Sequence, residues 1–164
     1  MGKKVAIYPG TFDPIHNGHL EIIRRALLTF DRIIVALGLN PEKETIFTLE
    51  ERLDMIRESI KDLDSRVECD AFEGLTVRYA ARRKAQAIIR GLRAVSDFEY
   101  EFQLALMNRK LSRNIETLFI MTAHRYLYVS SRIIKATVVA GGSPKDLVPE
   151  YVLAKLKKKF PNIR

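Results

Sequence analysis

An α/β fold on a parallel sheet is predicted by three observations. Short apolar runs rich in β-branched residues, such as Val5-Ala6-Ile7-Tyr8 and Ile33-Ile34-Val35, recur along the chain. Between them lie longer segments whose apolar residues fall three and four apart, the spacing of one helix face. The two kinds of run alternate, as repeated βαβ units require, and no repeat, low-complexity stretch or linker divides them. The expectation is a single doubly wound, Rossmann-like domain over residues 1–164, with a parallel sheet of about five strands.

Taken in order, residues 4–8 read as a first buried strand and 18–30 as a helix, with Leu20, Ile23, Leu27 and Phe30 on one face. Residues 32–39 form a second strand. A helix begins at Thr48, because Thr48 and Glu51 can each satisfy a free backbone N–H of the first turn. Leu49, Leu53, Ile56, Ile60 and Leu63 carry its apolar face. Residues 67–72 read as a third strand, 75–84 as a helix, 87–90 as a fourth strand, 98–111 as a helix and 117–121 as a fifth strand. A further helix starts near Ser130 and ends before Gly141-Gly142, a natural stop. Pro149 opens a terminal helix over about 149–160. Ligands of such sheets sit at the carboxyl ends of the strands, which directs attention to the loops after Tyr8, Leu39, Phe72, Arg90 and Met121.

Composition narrows the class. Apolar residues make up 47% and charged residues 29% of the 164, the balance of a soluble globular protein. No apolar run approaches the roughly 20 residues that span a bilayer, and the N-terminal apolar run is too short for a signal-peptide core. Cys69 is the sole cysteine, which excludes a disulfide framework within the chain and a cysteine-only metal cage; a reducing, cytoplasmic setting is expected. Lys and Arg exceed Asp and Glu by 28 to 20, a net charge of +8, which favours a polyanionic partner. A nucleic-acid surface would interleave aromatics with a basic stripe, whereas these cations are spread over many elements, so neither nucleic acid nor membrane is expected as a partner. Lys155, Lys157, Lys158 and Lys159 read as a solvated tail.

The loop after the first strand carries the densest chemistry: Gly10-Thr11-Phe12-Asp13-Pro14-Ile15-His16-Asn17-Gly18-His19. Gly10 and Pro14 shape a turn, Gly18 admits close approach of a ligand, and the free N–H groups of the following helix favour a phosphate. His16 and His19 lie on one side of the first helical turn. Capping, core packing and metal ligation all compete for them, but zinc would need more ligands than His124, Cys69 and scattered carboxylates offer. Neither a dinucleotide glycine fingerprint nor a Walker loop is present.

Residues 10–13 followed by His16–His19 resemble the His-x-Gly-His motif of the nucleotidyltransferase superfamily. The block at 90–108, RGLRAVSDFEYEFQLALMN, resembles the long signature of the bacterial phosphopantetheine adenylyltransferases. FTLEER at 47–52 and Val129-Ser130-Ser131 with Lys135 agree in order and spacing. The first motif marks only the superfamily; the block at 90–108 is far more specific, and points away from relatives that take nicotinamide mononucleotide or glycerol 3-phosphate. The class I aminoacyl-tRNA synthetases share the first motif, but 164 residues leave no room for tRNA-binding domains.

The resemblance implies transfer of the adenylyl group of ATP to 4′-phosphopantetheine. The chemistry is consistent with a chain that lacks a convincing Ser-His-Asp or Cys-His set: a phosphate monoester, with a second pKa of about 6, is already a competent nucleophile. Catalysis then rests on positioning and electrostatic stabilisation. By resemblance, His19 stabilises the transition state at the α-phosphate. Thr11 contacts both substrates, Phe12 lends its N–H, and Lys43 bridges the reacting phosphates. Thr76 and Arg90 belong to the phosphopantetheine end. Gly91, Leu92 and Arg93 border ATP, with Arg93 a fourth catalytic candidate beside His19, Lys43 and Thr11. Glu101 contacts the nucleotide, and Tyr126, Leu127, Tyr128, Val129, Ser130, Ser131 and Arg132 line its adenine and triphosphate side. Mg2+ is expected on the triphosphate, held by phosphates and water rather than by a protein cage.

On the residues alone each assignment has a plainer rival: Lys43 solvated in a polar loop, Arg90 paired with a nearby acid, Ser130 a simple N-cap. Phe98, Tyr100, Phe102, Leu104 and Met107 read as packing or subunit-contact residues. Two departures from the family pattern stand out. Arg132 replaces a common Ser or Thr, and Glu44 replaces a second lysine beside Lys43. The resemblance further implies a homohexamer in the cytoplasm, with coenzyme A as a feedback ligand.

Overall fold

Eleven regular elements follow one another in the computed structural model, which describes residues 2–40, 43–93 and 95–163, with 95–97 described by backbone alone. They run β1 (Val5–Gly10), α1 (Asn17–Ala26), β2 (Arg32–Gly38), α2 (Leu49–Ile60), β3 (Val67–Phe72), α3 (Thr76–Arg82), β4 (Ala87–Leu92), α4 (Val95–Leu111), β5 (Glu116–Met121), α5 (Ser131–Val139) and α6 (Glu150–Lys159), with a 3-10 turn at His124–Tyr126. The five strands make one wholly parallel sheet in the order β3-β2-β1-β4-β5. The chain winds outward from β1 to β3, then returns to place β4 on the other side of β1. The switch point of this α/β fold therefore lies between β1 and β4.

Alternation along the central strands splits the core in two. Ala6, Tyr8, Ile33, Val35, Leu37, Ala87 and Ile89 join residues of α1, α2, α5 and α6 on one face; Val5, Ile7, Ile34, Ala36 and Ile88 meet α3 on the other. Each fully buried Ile or Leu contributes roughly 1.5–3 kcal/mol. Within α2 the Thr48–Glu51 capping box is formed, with reciprocal bonds of 2.8 and 3.2 Å. Ile56 and Ile60 are buried as expected, joined by Met55 and by the guanidinium of Arg52.

Several expected boundaries shift, each for a physical reason. Helix α1 ends at Ala26 rather than at 30: the chain tightens into i+3 bonds from Leu28 and Thr29, leaving Leu28 87% exposed while Phe30 tucks into the core. Asp31 and Arg32 then donate to the carbonyl of Lys4, which starts β2. Strand β1 continues through Gly10, because β2 pairs with it as far as Gly10↔Leu37. Strand β4 continues to Leu92 on its ladder with β5, so Gly91 and Leu92 are strand residues. A Cβ at Gly91 would fall 2.2 Å from Cδ1 of Ile22, so any larger residue there would force the Ile22 side chain to turn aside. Helix α4 begins three residues before the expected start.

The terminal lysines are not all a solvated tail. Lys155 pairs with Asp54 at 2.9 Å, beside the Tyr151 hydroxyl that donates to the same carboxylate at 2.7 Å, and Lys159 reaches Glu51 at 3.4 Å. These contacts dock α6 on α2, though exposed pairs of this kind add at most about 1 kcal/mol each. Lys157 and Lys158 stay exposed.

Candidate functional site

A cleft of about 770 Å³ opens at the switch point, between the carboxyl ends of β1 and β4 and the start of α5. Its floor is set by the loop after β1. Phe12 has a left-handed backbone (φ 46°) that turns its ring inward, where it is 3% exposed. The ring stands edge-on to Tyr8 at 5.6 Å and to His19 at 5.0 Å, so it props the imidazole from below. With this ring buried, only the Phe12 backbone is left to meet a ligand.

His16 and His19 work as a pair. The rings stack at 3.6 Å, and the His16 backbone N–H donates to Nδ1 of His19 at 3.2 Å. With Nδ1 accepting, the proton of a neutral His19 sits on Nε2, which makes no hydrogen bond among the described residues. Burial, then the neighbouring His16, Arg93 and Arg90, hold the His19 pKa well below its usual 6.5. Burial and Arg93 take His16 down to about 3. His19 is thus an uncharged N–H donor at neutral pH.

Three arginines line the same cleft in different states. Arg90 is gripped by Glu101 of α4 through bonds of 2.6 and 2.5 Å and donates to the carbonyl of Pro9 at 3.1 Å. Burial opposes its charge, but the Glu101 carboxylate outweighs that and raises its pKa. The acid pairing open to Arg90 in the sequence is therefore realised, with the other cleft residue Glu101 as its partner. Arg93 donates to the Val129 carbonyl at 3.0 Å, and Arg132 is exposed at the rim.

The start of α5 closes the cleft. Ser130 is its N-cap, accepting from the Ile133 N–H at 3.1 Å, and the Ser131 hydroxyl donates to the Pro14 carbonyl at 2.8 Å. The Ser131 proton is spent on Pro14, whereas the Ser130 hydroxyl only accepts, so its O–H and the first N–H groups of the helix are the donors to offer. Tyr126 is buried, Leu127 is half-buried and Tyr128 stands 61% exposed at the edge. Val129 packs its side chain in the core, so only its backbone can meet a ligand. Gly91 lines the cleft; Leu92, beyond it on β4, does not.

The remaining expected residues lie on the β2–β3 side. Lys43, past the end of β2, brings Nζ to 3.4 Å from Oγ1 of Thr11. Thr76 opens α3 after β3, outside the cleft wall. Sequence reasoning gave no role to Asp13, Arg52 or Lys135, although all three fell in matched segments. Asp13 is 2% exposed and accepts from the N–H groups of Ile46 and Phe47, both at 3.0 Å, and from Lys135 at 2.9 Å. Arg52 donates to the carbonyl of Thr11 at 3.0 Å. Among the described residues, no group of three His, Cys, Asp or Glu could hold a metal ion, and no helix is long and apolar enough to cross a membrane.

Comparison with known proteins bears on this arrangement. The cytidylyltransferase-like family matches residues 7–137. The phosphopantetheine adenylyltransferase of Desulfosudis oleivorans is 56% identical over 157 residues, covering 96% of this chain and 93% of the relative. That of Syntrophus aciditrophicus is 54% identical over 159 residues, covering 97% and 96%. Among solved structures, one from Vibrio parahaemolyticus assigned to nicotinate-nucleotide adenylyltransferase superposes with a TM-score of 0.67 at 18% identity, covering 94% of this chain and 99% of that one. At that identity the likeness speaks for the fold alone.

Proposed function

The chain belongs to the phosphopantetheine adenylyltransferases of the cytidylyltransferase-like family, and on that premise we propose that it joins the adenylyl group of ATP to 4′-phosphopantetheine in coenzyme A biosynthesis. The observation that carries the proposal is one cleft at the switch point that gathers an uncharged His19 donor, Arg93, Arg132 and the free N–H groups of α5. This is a surface for a polyphosphate, with Lys43 and Thr11 beside it for a second phosphate.

An oxygen of the acceptor phosphate attacks the α-phosphorus of ATP in line, the bond to the β-phosphate breaks, and 3′-dephospho-coenzyme A and pyrophosphate result. The acceptor is ionised at neutral pH, so no protein base is needed. Nε2–H of His19 donates to an α-phosphate oxygen as its charge grows. Lys43 lies between the two reacting phosphates, with Thr11 contacting both substrates and the Phe12 N–H completing the donor set. Arg93, Arg132 and the α5 N-terminus hold the β- and γ-phosphates; Gly91, Leu92 and the backbone of 126–132 border the rest of ATP. Arg90 and Thr76 serve the pantetheine arm, and Glu101 serves both ends by contacting the nucleotide while holding Arg90.

Mg2+ supplies charge neutralisation on the triphosphate when bound. The side chains facing the phosphates are cationic or N–H donors, and Glu101 is already committed to Arg90, so phosphate oxygens and water are the ligands that fit. The protein is cytoplasmic, assembles as a homohexamer and takes coenzyme A as a feedback ligand.

Pyrophosphate release from ATP and Mg2+ tests this, with 4′-phosphopantetheine, nicotinamide mononucleotide and glycerol 3-phosphate supplied separately. Release with phosphopantetheine alone, with dephospho-coenzyme A appearing, is the expected outcome. Release with another acceptor would keep the phosphoryl chemistry and overturn the acceptor.

A further inference from the structure

The mechanism above uses Lys43, Thr11 and the start of α5, three groups on separate segments, and leaves two buried charged side chains unused, Asp13 and Arg52. Asp13 lies two residues after Thr11 and bonds to the other two segments. Its Oδ1 accepts from the N–H of Phe47; its Oδ2 accepts from the N–H of Ile46 and from Nζ of Lys135 on α5. A carboxylate at 2% exposure is costly unless its lone pairs are met, and here three donors from two distant segments meet them. Ile46 lies three residues after Lys43, so these N–H bonds fix the end of the segment on which Lys43 stands. Arg52, itself buried, ties the same corner a second time, from the Thr48 carbonyl at 3.3 Å to the Thr11 carbonyl at 3.0 Å.

We propose that Asp13 is a positioning residue: its buried carboxylate is the joint that sets the Lys43 segment and helix α5 in register with the Thr11 loop, and so sets the distance between the acceptor phosphate and ATP. The proposal rests on the adenylyl-transfer reading and deepens it. Asp13 touches neither substrate. It acts through Lys43 on one arm and through Lys135 on the other, and the two arms have separable signatures. Loosening the Lys43 arm weakens use of the acceptor; loosening the Lys135 arm, which holds α5 by its second turn, weakens ATP binding. A carboxylate is required because an amide at this site would turn its NH2 toward a donor.

A double-mutant cycle tests the joint. Asp13→Asn in the wild-type background is expected to lower kcat/KM for 4′-phosphopantetheine by about 10–100-fold, the scale of a misplaced reacting group. In a Lys43→Ala background the same change, read at saturating ATP so that the α5 arm does not contribute, is expected to cost less than about 3-fold, because the group positioned on the acceptor arm is gone. Equal losses in both backgrounds would mean a general structural role and would overturn the proposal, as would wild-type kcat/KM in Asp13→Asn. Where Asp13→Asn does not fold, Lys135→Met carries the test, since it leaves both N–H bonds in place. Its expected result is an ATP Kd, measured by calorimetry without acceptor, raised about 5–10-fold with the acceptor KM unchanged; no change in Kd, or equal change in both constants, would overturn the joint. Wild-type enzyme that releases no pyrophosphate would instead overturn the underlying reading and the joint with it. Wild-type turnover with a failed cycle would overturn the joint alone.

Discussion

His16 and His19 are the residues on which the chemistry and the pH behaviour of the protein meet. Their rings stack, His16 buried and His19 half-buried at the cleft wall, close to two arginines, so both are uncharged in the folded state at neutral pH. In the unfolded chain each titrates near the usual 6.5. Below that value the unfolded state binds protons that the folded state refuses, so stability is complete above about pH 6.5 and falls as pH drops toward the folded value, about 3 for His16. The slope reaches at most about 1.4 kcal/mol per pH unit for each ring. Urea midpoints are expected to fall steadily from pH 7 to pH 5; a flat midpoint over that range would contradict neutral burial of the pair. Arg132 belongs to the same scale. Its cation lines the cleft beside the capped start of α5 and so adds positive charge to the side where phosphates are proposed to bind.

At the scale of elements, what was legible in the sequence is what is local. The α2 capping box is made by residues three apart, and the N-cap role open to Ser130 needs only the next turn of α5. The spacing alone carries α1 past its end, because Leu27 and Phe30 continue the helical pattern although the chain must turn there to enter β2. The Asp13 joint was out of reach for a different reason: its partners lie 33, 34 and 122 residues away, and no local pattern encodes them. The packing of α1 on β4 makes a further prediction. Gly91→Ala places a methyl 2.2 Å from Cδ1 of Ile22 and is expected to destabilise the protein by about 1–3 kcal/mol, the cost of overpacking. Adding Ile22→Val removes that atom and should restore most of the loss in thermal melts. A double variant no more stable than Gly91→Ala would show that the clash is not the cause.

For the whole molecule, the uneven distribution of apolar surface matters most. Helix α4 leaves Phe98, Tyr100, Phe102, Leu106, Met107 and Leu111 substantially exposed, and the adjacent edge strand β5 exposes Leu118 and Met121. So many exposed apolar side chains on one helix and the neighbouring edge strand fit a subunit contact. Sedimentation is expected to give six times the 18.8 kDa chain mass; a monomer at micromolar concentration would contradict the assembly. The doubly wound topology itself followed from the βαβ alternation, and it brings together at one switch point residues drawn from positions 8 to 133. On the proposed mechanism this gathered cleft works by placing donors around a reacting phosphate, without a base or a nucleophile of its own. The most direct measurement is single-turnover adenylyl transfer by His19→Ala, alongside its dissociation constants for ATP and 4′-phosphopantetheine. The expected rate is about 10²–10³-fold below wild type, as for loss of one preorganised donor, with both dissociation constants within about 3-fold of wild type. A rate near wild type in a folded His19→Ala protein would contradict that mechanism.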